Sequence, residues 1–334
     1  MMKRTIAIVA GGDSSEHDVS LRSAEGILSF MDKEKYDCYV VEMKADNWKV
    51  NYKNEETCDI NRKDFSFSAS DGHHHFDFAY ITIHGTPGEN GILQGYFDLI
   101  GMPYSTSDVL VEALTFNKYA LNNFLRSFPE IHVSESALIR KGEEVTPEDE
   151  QKLAERLGIP CFVKPNAGGS SFGVTKVKMA DALRAAIEKA MMESDEVMVE
   201  RMMSGTEITC GCYKRPNGEI VTFPITEVVT TQEFFDYDAK YNGKVNEITP
   251  ARIAPETAKR VSEMTQHIYR ILGCYGIIRI DYILSGEKGQ EQINMLEINT
   301  TPGMTATSFI PQQVRASGLD IKDVLSDIIE GKLQ

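Results

Sequence analysis

Short apolar runs alternate with helix-period segments along the first third of the chain. Residues 5–10 form a β-branched apolar run that ends at Gly11 and Gly12, after which apolar positions recur at helical spacing. The same order returns at residues 76–84, and another strand is predicted between the two units at residues 38–43. This alternation predicts an open, Rossmann-like α/β sheet over residues 1–117, with ligand-facing loops at the strand ends.

A different order of elements begins at residue 118. Helices and strands follow one another up to residue 203 without the regular strand–helix alternation of the first part, which predicts a small α+β domain. One helix in this part has a clear start, because Thr146 supplies a cap, Pro147 suits the first position and Asp149 follows three residues after the cap.

The last part of the chain begins at residue 204. Asn217 and Gly218 indicate a hairpin between strands predicted at residues 205–213 and 219–229. A polar and aromatic loop at 230–249, a long helix, two strands and two short helices complete the chain. Since 334 residues exceed the ~250–300 that a single core usually supports, two or three domains are expected, and the three successive orders of elements predict three. Their boundaries are 1–117, 118–203 and 204–334.

Charge and apolar content exclude several classes of protein. Apolar residues make up 42% and charged residues 25% of the chain, which is the composition of a globular protein. Asp and Glu number 50 against 35 Lys and Arg, and a net charge of −15 would repel nucleic acid or an anionic membrane surface. No apolar run approaches the ~20 residues of a membrane span. We therefore expect small-molecule substrates, with neither nucleic acid nor membrane as a partner.

The cysteines and histidines give only weak indications of a site. The six cysteines form no Cys-x-x-Cys pair, and the first residues lack the apolar run of a signal peptide, so a reduced, cytoplasmic protein is expected. Cys210 and Cys212 are interpreted as small buried hydrophobes rather than as a metal clip. Residues 73–75 are three consecutive histidines. They have no spaced carboxylate or thiol partner in the sequence, so a solvated loop is predicted there.

A glycine- and serine-rich loop lies between two predicted strands. Lys164 precedes it and Lys176 follows it, and backbone N–H groups, hydroxyls and an ammonium together suit a phosphate. The loop is not a Walker motif: Gly168 and Gly173 have the required spacing, but Val174 stands where a lysine is needed. An ordinary hairpin loop is the alternative, so the loop alone only modestly favours nucleotide binding.

The strongest candidate site lies on two strands near the C-terminus. Alternation along a strand places Arg279 and Asp281 on one face, and likewise Glu297 and Asn299, with Leu296 on the opposite face. If the strands pair as a hairpin with a constant index sum, Asp281 faces Glu297 and Arg279 faces Asn299. Opposed carboxylates repel each other, and a hard cation with oxygen ligands such as Mg²⁺ removes that repulsion. The alternative is a solvated polar face on which Arg279 neutralises one acid.

Taken in order along the chain, six segments resemble the D-alanine–D-alanine ligase family of the ATP-grasp superfamily. These segments are residues 11–20 (GGDSSEHDVS), 84–91 (HGTPGENG), 163–173 (VKPNAGGSSFG), 237–241 (YDAKY), 279–281 (RID) and 297–305 (EINTTPGMT). The resemblance implies an ATP-grasp fold with an N-terminal α/β domain. It also implies that ATP lies between the second and third domains and that the amino acids face the first.

The resemblance further implies roles for individual residues. The expected contacts of the ATP phosphates are Lys118 and Lys164, Ser171 in the loop that covers them, and Lys240 at the γ-phosphate. Glu200, Arg201 and Met203 are expected at adenine, and Glu207 at the ribose. The expected ligands of two Mg²⁺ ions, with Mn²⁺ as an alternative, are Asp281, Glu297 and Asn299. The expected amino-acid contacts and catalytic groups are Glu16, His84, Ser170, Tyr241, Arg279, Gly303, Ser308 and Phe309.

Within that set, Glu16 is expected to bind the ammonium of the first D-alanine, while Ser170 and Tyr241 connect to Glu16 and close the second site. Arg279 is expected to stabilise the transferring phosphoryl group. Ser308 and the Gly303 N–H are expected to receive the second carboxylate and the oxyanion.

The implied reaction joins two D-alanine molecules through an acyl phosphate. It yields D-alanyl-D-alanine, ADP and phosphate for peptidoglycan precursor synthesis, in a cytoplasmic homodimer. Two alternatives remain open: a ligase of D-alanine with a 2-hydroxy acid or another amino acid, and an ATP-binding regulatory protein without catalysis. The chain departs from the family pattern at three positions, Asn90, Phe235 and Phe309, and Phe309 leaves the shape of the second substrate pocket open.

Overall fold

The computed structural model describes residues 3–169, 172–230 and 245–333, which form three β-sheets with helices between and around them. The first sheet has the order β6-β5-β4-β3-β2-β1-β7. Its strands are β1 (Arg4–Gly11), β2 (Tyr36–Lys44), β3 (Asn47–Asn51), β4 (Thr57–Asn61), β5 (Ser66–Ala69), β6 (Gly72–His74) and β7 (Phe78–Ile81). The strand β1 pairs in parallel with β2 and β7, as expected for an α/β sheet.

The strands β3 to β6 form an antiparallel extension of this sheet that the sequence pattern does not predict. Each is only three to five residues long and mixes polar with apolar positions, so none has a long apolar run. The prediction of a loop at the three histidines is therefore wrong, since Gly72–His74 form β6, whereas the expected solvent exposure holds for His73 and His75. Asp64, in the turn before β5, also lies beside His73 and His75.

The second sheet is antiparallel and has the order β11-β10-β12-β9. Its strands are β9 (Ser136–Arg140), β10 (Cys161–Pro165), β11 (Thr175–Val177) and β12 (Glu196–Arg201), accompanied by α5 (Pro147–Leu157) and α6 (Leu183–Ala190). The predicted start of α5 is confirmed. Thr146 Oγ1 accepts from the Asp149 backbone N–H, and Asp149 Oδ2 accepts from the Thr146 N–H at 3.1 Å.

The third sheet has the order β16-β15-β13-β17-β18-β8, and β14 also pairs with β13. Its strands are β8 (His132–Val133), β13 (Thr206–Lys214), β14 (Ile220–Thr222), β15 (Thr226–Thr230), β16 (Val245–Ile248), β17 (Ile278–Ser285) and β18 (Gln292–Asn299). The single strand predicted at 219–229 is two strands, because Pro224 has no N–H to continue the ladder. The strand β16 lies inside the predicted loop 230–249.

The remaining helices connect the sheets. They are α1 (His17–Phe30), α2 (Ile92–Ile100), α3 (Val109–Phe116), α4 (Lys118–Leu125), α7 (Pro255–Leu272), α8 (Phe309–Ser317) and α9 (Ile321–Leu333). Ile310 of α8 and Ile328 of α9 belong to the same buried cluster as Ile8 and Ile27, so the C-terminal helices join the first and third sheets. Cys210 and Cys212 are fully buried, which confirms their interpretation as small hydrophobes.

Two further observations concern the organisation of the chain. The strand β8 lies between residues 118 and 203 but pairs with β18 of the third sheet. The three domain boundaries given above stay a prediction. None of the helices in the described part of the chain combines the length and the apolar character that a membrane crossing requires.

Candidate active site

A cavity of about 950 Å³ lies where the three sheets meet, and we call it the central cavity. Most of the predicted site residues line it. From the first part of the chain come Glu16 and His84, from the second Lys118, Lys164, Glu200, Arg201 and Met203, and from the third Glu207, Arg279, Asp281, Glu297, Asn299, Gly303, Ser308 and Phe309. Ser170, Ser171, Lys240 and Tyr241 lie outside the described residues, as does Phe235.

The two C-terminal strands pair as predicted at the site. Asp281 is opposite Glu297 and Arg279 is opposite Asn299 in the β17–β18 ladder. The constant index sum fails immediately afterwards, because a bulge shifts the register so that Tyr282 pairs with Met295. The prediction for Leu296 is therefore wrong: the bulge brings Leu296 to the central cavity with Glu297 instead of into the core.

Arg279 and Asp281 form an ion pair within β17. The guanidinium donates from Nε and Nη2 to the two oxygens of Asp281, at 2.9 and 2.8 Å, and Asn299 Nδ2 donates to Oδ2 at 3.1 Å. Burial by itself lowers the pKa of Arg279, but Asp281, Glu297 and Glu89 raise it above the ordinary value. The guanidinium therefore stays charged, and it also lies 5.2 Å from the centre of the Phe309 ring.

The same groups fit a divalent cation. Asp281 and Glu297 bring two carboxylates face to face, a placement that costs free energy unless a positive charge lies between or beside them. Asn299 turns its amide N–H to Asp281, so its carbonyl oxygen is the atom available to a cation. Carboxylate and amide oxygens are the donors that hard cations such as Mg²⁺ prefer.

A second ion pair lies on the neighbouring sheet. Phe162 of β10 pairs with Glu200 of β12, so Lys164 lies diagonally across from Glu200 on the same face. Lys164 Nζ donates to Glu200 Oε2 at 2.7 Å, and Asn122 Nδ2 donates to Oε1 at 3.3 Å. Both Lys164 and Glu200 are buried. The resemblance assigns Lys164 to a phosphate and Glu200 to adenine, and in this structure the two side chains are in direct contact.

The glycine-rich loop reaches across the cavity to the first part of the chain. Lys118 Nζ donates to the carbonyl of Gly168 at 2.6 Å, which holds the loop beside this lysine. At the next position, a Cβ on Gly169 would lie 2.2 Å from Glu16 Oε2. Only glycine allows this close approach.

Glu16 and His84 line the central cavity from the first part of the chain. Glu16 precedes α1 without capping it through its side chain, so its carboxylate faces the cavity and the loop. His84 Nε2 lies 3.3 Å from Ser23 Oγ, and the carbonyl of His84 accepts from Ser14 Oγ at 2.7 Å. The turn before α1 is tight: a Cβ on Gly12, whose φ is +93°, would lie 2.5 Å from Ile83 Cγ2.

The loop after β18 ends at the start of α8. Ser308 Oγ accepts from the Thr305 N–H at 3.1 Å and lies 2.7 Å from Thr305 Oγ1. A Cβ on Gly303 would lie 3.0 Å from Ser308 Oγ, so the backbone of Gly303 and this hydroxyl are neighbours. Met304 N–H donates to Ser23 Oγ at 3.3 Å, which anchors the loop to α1.

Among the described residues, three carboxyl groups with a raised pKa lie outside the predicted site residues, and two of them, Glu89 and Glu247, line the central cavity. Burial raises the pKa of Glu89, and Glu16 nearby adds to that effect. Burial also raises the pKa of Glu247, which accepts from Gln312 Nε2 at 2.6 Å. Glu112 is fully buried, and its pKa is raised well above the ordinary value. Glu89 could have been identified from the sequence, because it lies in the segment 84–91 that resembles the family. Nothing in the sequence marks the other two.

Glu112 connects the helix α3 to the loop after β18. Its carboxyl group accepts from the Ser107 N–H at 3.0 Å and from the hydroxyl of Thr300. Thr301 N–H in turn donates to Glu89 Oε1 at 3.4 Å.

Arg201, which is a predicted site residue, and Asn90, which departs from the family pattern, both have hydrogen-bond partners outside the metal and phosphate groups described above. Arg201 donates to Glu135 Oε2 at 2.8 Å and to the Arg156 carbonyl at 2.6 Å, so its guanidinium is held between the residue before β9 and the helix α5. Asn90 donates to Thr86 Oγ1 at 3.1 Å and accepts from the Ile92 N–H at 3.2 Å, at the start of α2.

Comparison with known proteins gives a consistent result over nearly the whole chain. The family model described as the N-terminus of D-Ala–D-Ala ligase matches residues 5–107, and the one described as its C-terminus matches residues 129–330. A D-alanine–D-alanine ligase of Phocaeicola vulgatus is 64% identical over 332 residues, which cover 99% of this chain and 100% of that protein.

Two solved structures are similar in fold. The VanG D-Ala:D-Ser ligase of Enterococcus faecalis has a TM-score of 0.85 and 30% identity, covering 99% of this chain and 100% of that one. The D-alanyl-alanine synthetase A of Vibrio cholerae has a TM-score of 0.86 and 26% identity, covering 100% of this chain and 99% of that one.

Proposed function

The chain belongs to the D-alanine–D-alanine ligase family, and on that basis we propose that it joins two D-alanine molecules to D-alanyl-D-alanine through an acyl phosphate. It is an ATP-grasp enzyme of the ligase class that uses ATP and a divalent metal. Its dipeptide product serves peptidoglycan precursor synthesis.

The observation that carries this proposal is the arrangement at the end of β17 and β18. Asp281 and Glu297 face each other in the central cavity, with Arg279 bound to Asp281, and the Lys164–Glu200 pair lines the same cavity. Binding a nucleotide does not require two opposed carboxylates and a guanidinium. Phosphoryl transfer does, because charge spreads over the oxygens of the transferred group. This argues against a regulatory protein without catalysis.

An amine cannot convert a carboxylate directly to an amide at neutral pH, because the displaced oxygen would have to leave as an oxide ion, which is a very poor leaving group. Transfer of the γ-phosphoryl group from ATP to the first D-alanine supplies a leaving group, and the neutral amine of the second D-alanine then attacks the acyl carbon. Arg279 carries the positive charge that the phosphoryl oxygens need in both steps. A metal held beside Asp281 and Glu297 would neutralise the charge of the phosphate oxygens.

The nucleotide is assigned to the side of the cavity formed by the second sheet. Lys118 and Lys164 are the cations for its phosphates, Glu200 accepts from the adenine amino group, and the backbone at Arg201 and Met203 borders the base. Glu207 binds the ribose. The hydrogen bond from Lys118 Nζ to the Gly168 carbonyl supports this assignment, because it holds the ammonium group beside the glycine-rich loop. Ser171 of the loop and Lys240 complete the proposed set.

The amino acids are assigned to the opposite side. Glu16 binds the first ammonium, His84 borders that position, and the Gly303 N–H with Ser308 Oγ receives the second carboxylate and the oxyanion. A Cβ on Gly303 would lie 3.0 Å from Ser308 Oγ, and this closeness supports assigning both groups to one substrate position. Phe309 borders the second position, where Ser170 and Tyr241 are proposed to close the site against Glu16.

The metal is proposed to be two Mg²⁺ ions, replaceable by Mn²⁺, with Asp281, Glu297 and Asn299 as ligands. Two carboxylates and one amide leave most positions of octahedral ions to phosphate oxygens and water, which is how Mg²⁺ is usually held in nucleotide sites. The stoichiometry can be read from Mn²⁺ electron paramagnetic resonance with and without a non-hydrolysable ATP analogue. A single Mn²⁺ in the presence of the analogue would reject the second ion.

The reaction is tested with D-alanine labelled with ¹⁸O in its carboxylate. Attack on the γ-phosphorus predicts ADP as the nucleotide product and one ¹⁸O in the released phosphate. Label in AMP would show adenylation and reject the acyl phosphate. Omitting the metal is the matched control, since it should remove ADP release and label transfer together.

A second candidate is suggested by the similarity to a D-Ala:D-Ser ligase. Phe309, which lines the cavity beneath Arg279, is the residue whose bulk could alter the second position. Competition between D-alanine and D-serine or D-lactate distinguishes these products. We expect the D-alanine dipeptide to dominate near neutral pH, and a mixed product in majority would support the second candidate.

The chain is further proposed to act as a homodimer in the cytoplasm. Apolar side chains on α2 and α3 are exposed, with Ile92 at 61%, Leu99 at 88% and Leu110 at 73% of full exposure, and a second copy would cover them. All six cysteines are free thiols, which agrees with a reducing compartment.

A further inference from the structure

The antiparallel extension of the first sheet carries a group of side chains that the ligase reaction does not use. Asp64 lies in the turn between β4 and β5, His73 lies on β6, and His75 follows that strand directly. Their ligand atoms, one from each residue, all lie within 4.8 Å of one another, and all three residues are exposed. None of them lines the central cavity.

The two-residue period of a strand explains why His73 and His75 belong to this group of side chains and His74 does not. His73 and His75 are two residues apart and share a face, and their rings lie 4.7 Å apart at 86°. His74 points to the other face, where its ring stacks on Phe67 at 5.0 Å and Nε2 lies 2.7 Å from Asp71 Oδ1.

The neighbouring hydroxyl groups orient two of the candidate ligands. Ser68 Oγ lies 3.1 Å from His73 Nδ1, which leaves Nε2 as the nitrogen for another partner. Asp64 Oδ1 accepts from the backbone N–H and the hydroxyl of Ser66, at 3.1 and 2.6 Å, which leaves Oδ2. Outer contacts of this kind fix ligand orientation in metal sites.

We propose that Asp64, His73 and His75 bind one divalent transition-metal ion of the Zn²⁺ class. Two imidazoles and a carboxylate are ligands that Zn²⁺, Ni²⁺ and Cu²⁺ share, whereas Mg²⁺ prefers oxygen atoms alone. The net charge of −15 adds a general attraction for cations.

The fit requires the side chains to move together. In a tetrahedral site, ligands about 2.0–2.1 Å from one ion lie roughly 3.3–3.4 Å apart, so atoms that lie within 4.8 Å of one another must close by up to roughly 1.5 Å. Exposed side chains can supply this by rotation. The ion would then join the β4–β5 turn to the end of β6, three short strands at the sheet edge, and it would complete its coordination with water.

The test is a Zn²⁺ titration of the full-length, untagged protein against a chromophoric chelator, in excess Mg²⁺ and without nucleotide. The wild type should bind one equivalent of Zn²⁺ more tightly than a His73→Asn/His75→Asn double variant, which should lose that equivalent. Asp64→Asn should weaken it by at least about tenfold, since even outer contacts of metal sites are worth 10–100-fold. Co²⁺ should show a visible absorption band that the double variant lacks.

Two single variants are the matched controls. His74→Asn changes the same residue type within the same run, and His132→Asn removes an exposed histidine elsewhere. Both should keep the wild-type equivalent. Equal binding by wild type and double variant would overturn the proposal, and so would a loss in His74→Asn as large as that in a His73→Asn single variant. D-alanine-dependent ADP release should be unchanged in the double variant, so this site and the ligase reaction can fail separately.

Discussion

Arg279 lies two residues from Asp281 on one face of β17 and donates two hydrogen bonds to it, at 2.9 and 2.8 Å. The arginine therefore binds the carboxylate that is proposed above as a metal ligand. A cation held by Asp281 would neutralise that carboxylate in its place, and the guanidinium would then be released toward the phosphoryl group. Binding of the metal and release of Arg279 are thus proposed to be coupled through Asp281.

Replacing this arginine should expose that coupling. Arg279→Gln removes the guanidinium bound to the buried Asp281, and removing one partner of a buried pair typically costs about 3–5 kcal/mol. We expect the free energy of unfolding without metal to fall by that order, and Mn²⁺ to restore part of it, while ADP release is lost. Chemical denaturation measures the change. Arg215→Gln, at a more exposed pair, is the control and should cost no more than about 1 kcal/mol.

Removal of the opposed carboxylate should separate activity from stability. Glu297→Gln loses a metal ligand but also relieves the repulsion across the ladder, so we expect turnover to fall by more than about 100-fold while the melting temperature stays level or rises. A coupled ADP assay and thermal melting measure both. Unfolding of Glu297→Gln under conditions where Glu219→Gln stays folded would make the carboxylate structural.

The close approach between the loop and Glu16 gives a third prediction. Gly169→Ala places a Cβ 2.2 Å from Glu16 Oε2, so the loop or the carboxylate must move. We expect the KM for D-alanine to rise at least about tenfold, with little change in the melting temperature. Gly95→Ala is the control, since its Cβ meets only Val109 Cγ2 at 3.7 Å. An unchanged KM in Gly169→Ala would mean that this contact does not position Glu16 for substrate.

The pH dependence of stability should report on Glu112. Burial raises the pKa of its carboxyl group, so the folded state holds a proton that the unfolded state releases above about 4.5. Stability from this group is therefore fully present below that value and falls as pH rises toward the raised pKa, by up to about 1.4 kcal/mol per pH unit. Relative to wild type, Glu112→Gln should gain stability between pH 5 and 8. Parallel curves for the two proteins across this range would contradict the prediction.

The oligomeric state tests the apolar face of α2 and α3. Leu99→Glu combined with Leu110→Glu should shift sedimentation from a dimer toward a monomer, because two charges would be buried at the proposed contact. Met192→Glu, at a residue 78% exposed on another part of the surface, should leave the dimer intact. Dimers of equal stability in both variants would place the contact elsewhere.

The sequence by itself determined the features that depend on local order. Alternation at the ends of β17 and β18, together with an assumed constant index sum, was enough to pair Asp281 with Glu297, because side chains in a strand repeat every two positions. The start of α5 and the burial of both Cys210 and Cys212 in β13 followed from similarly short-range rules.

Only the tertiary structure decided which distant groups touch. Lys164 and Glu200, Glu16 and Gly169, and Asp64 and the two histidines are each brought together by chain folding, at separations along the sequence where periodicity carries no information. The same is true of Leu296, since a single bulged residue turns it from the core to the cavity. Periodicity fixes the face of a side chain within an element, whereas packing between elements fixes what that face meets.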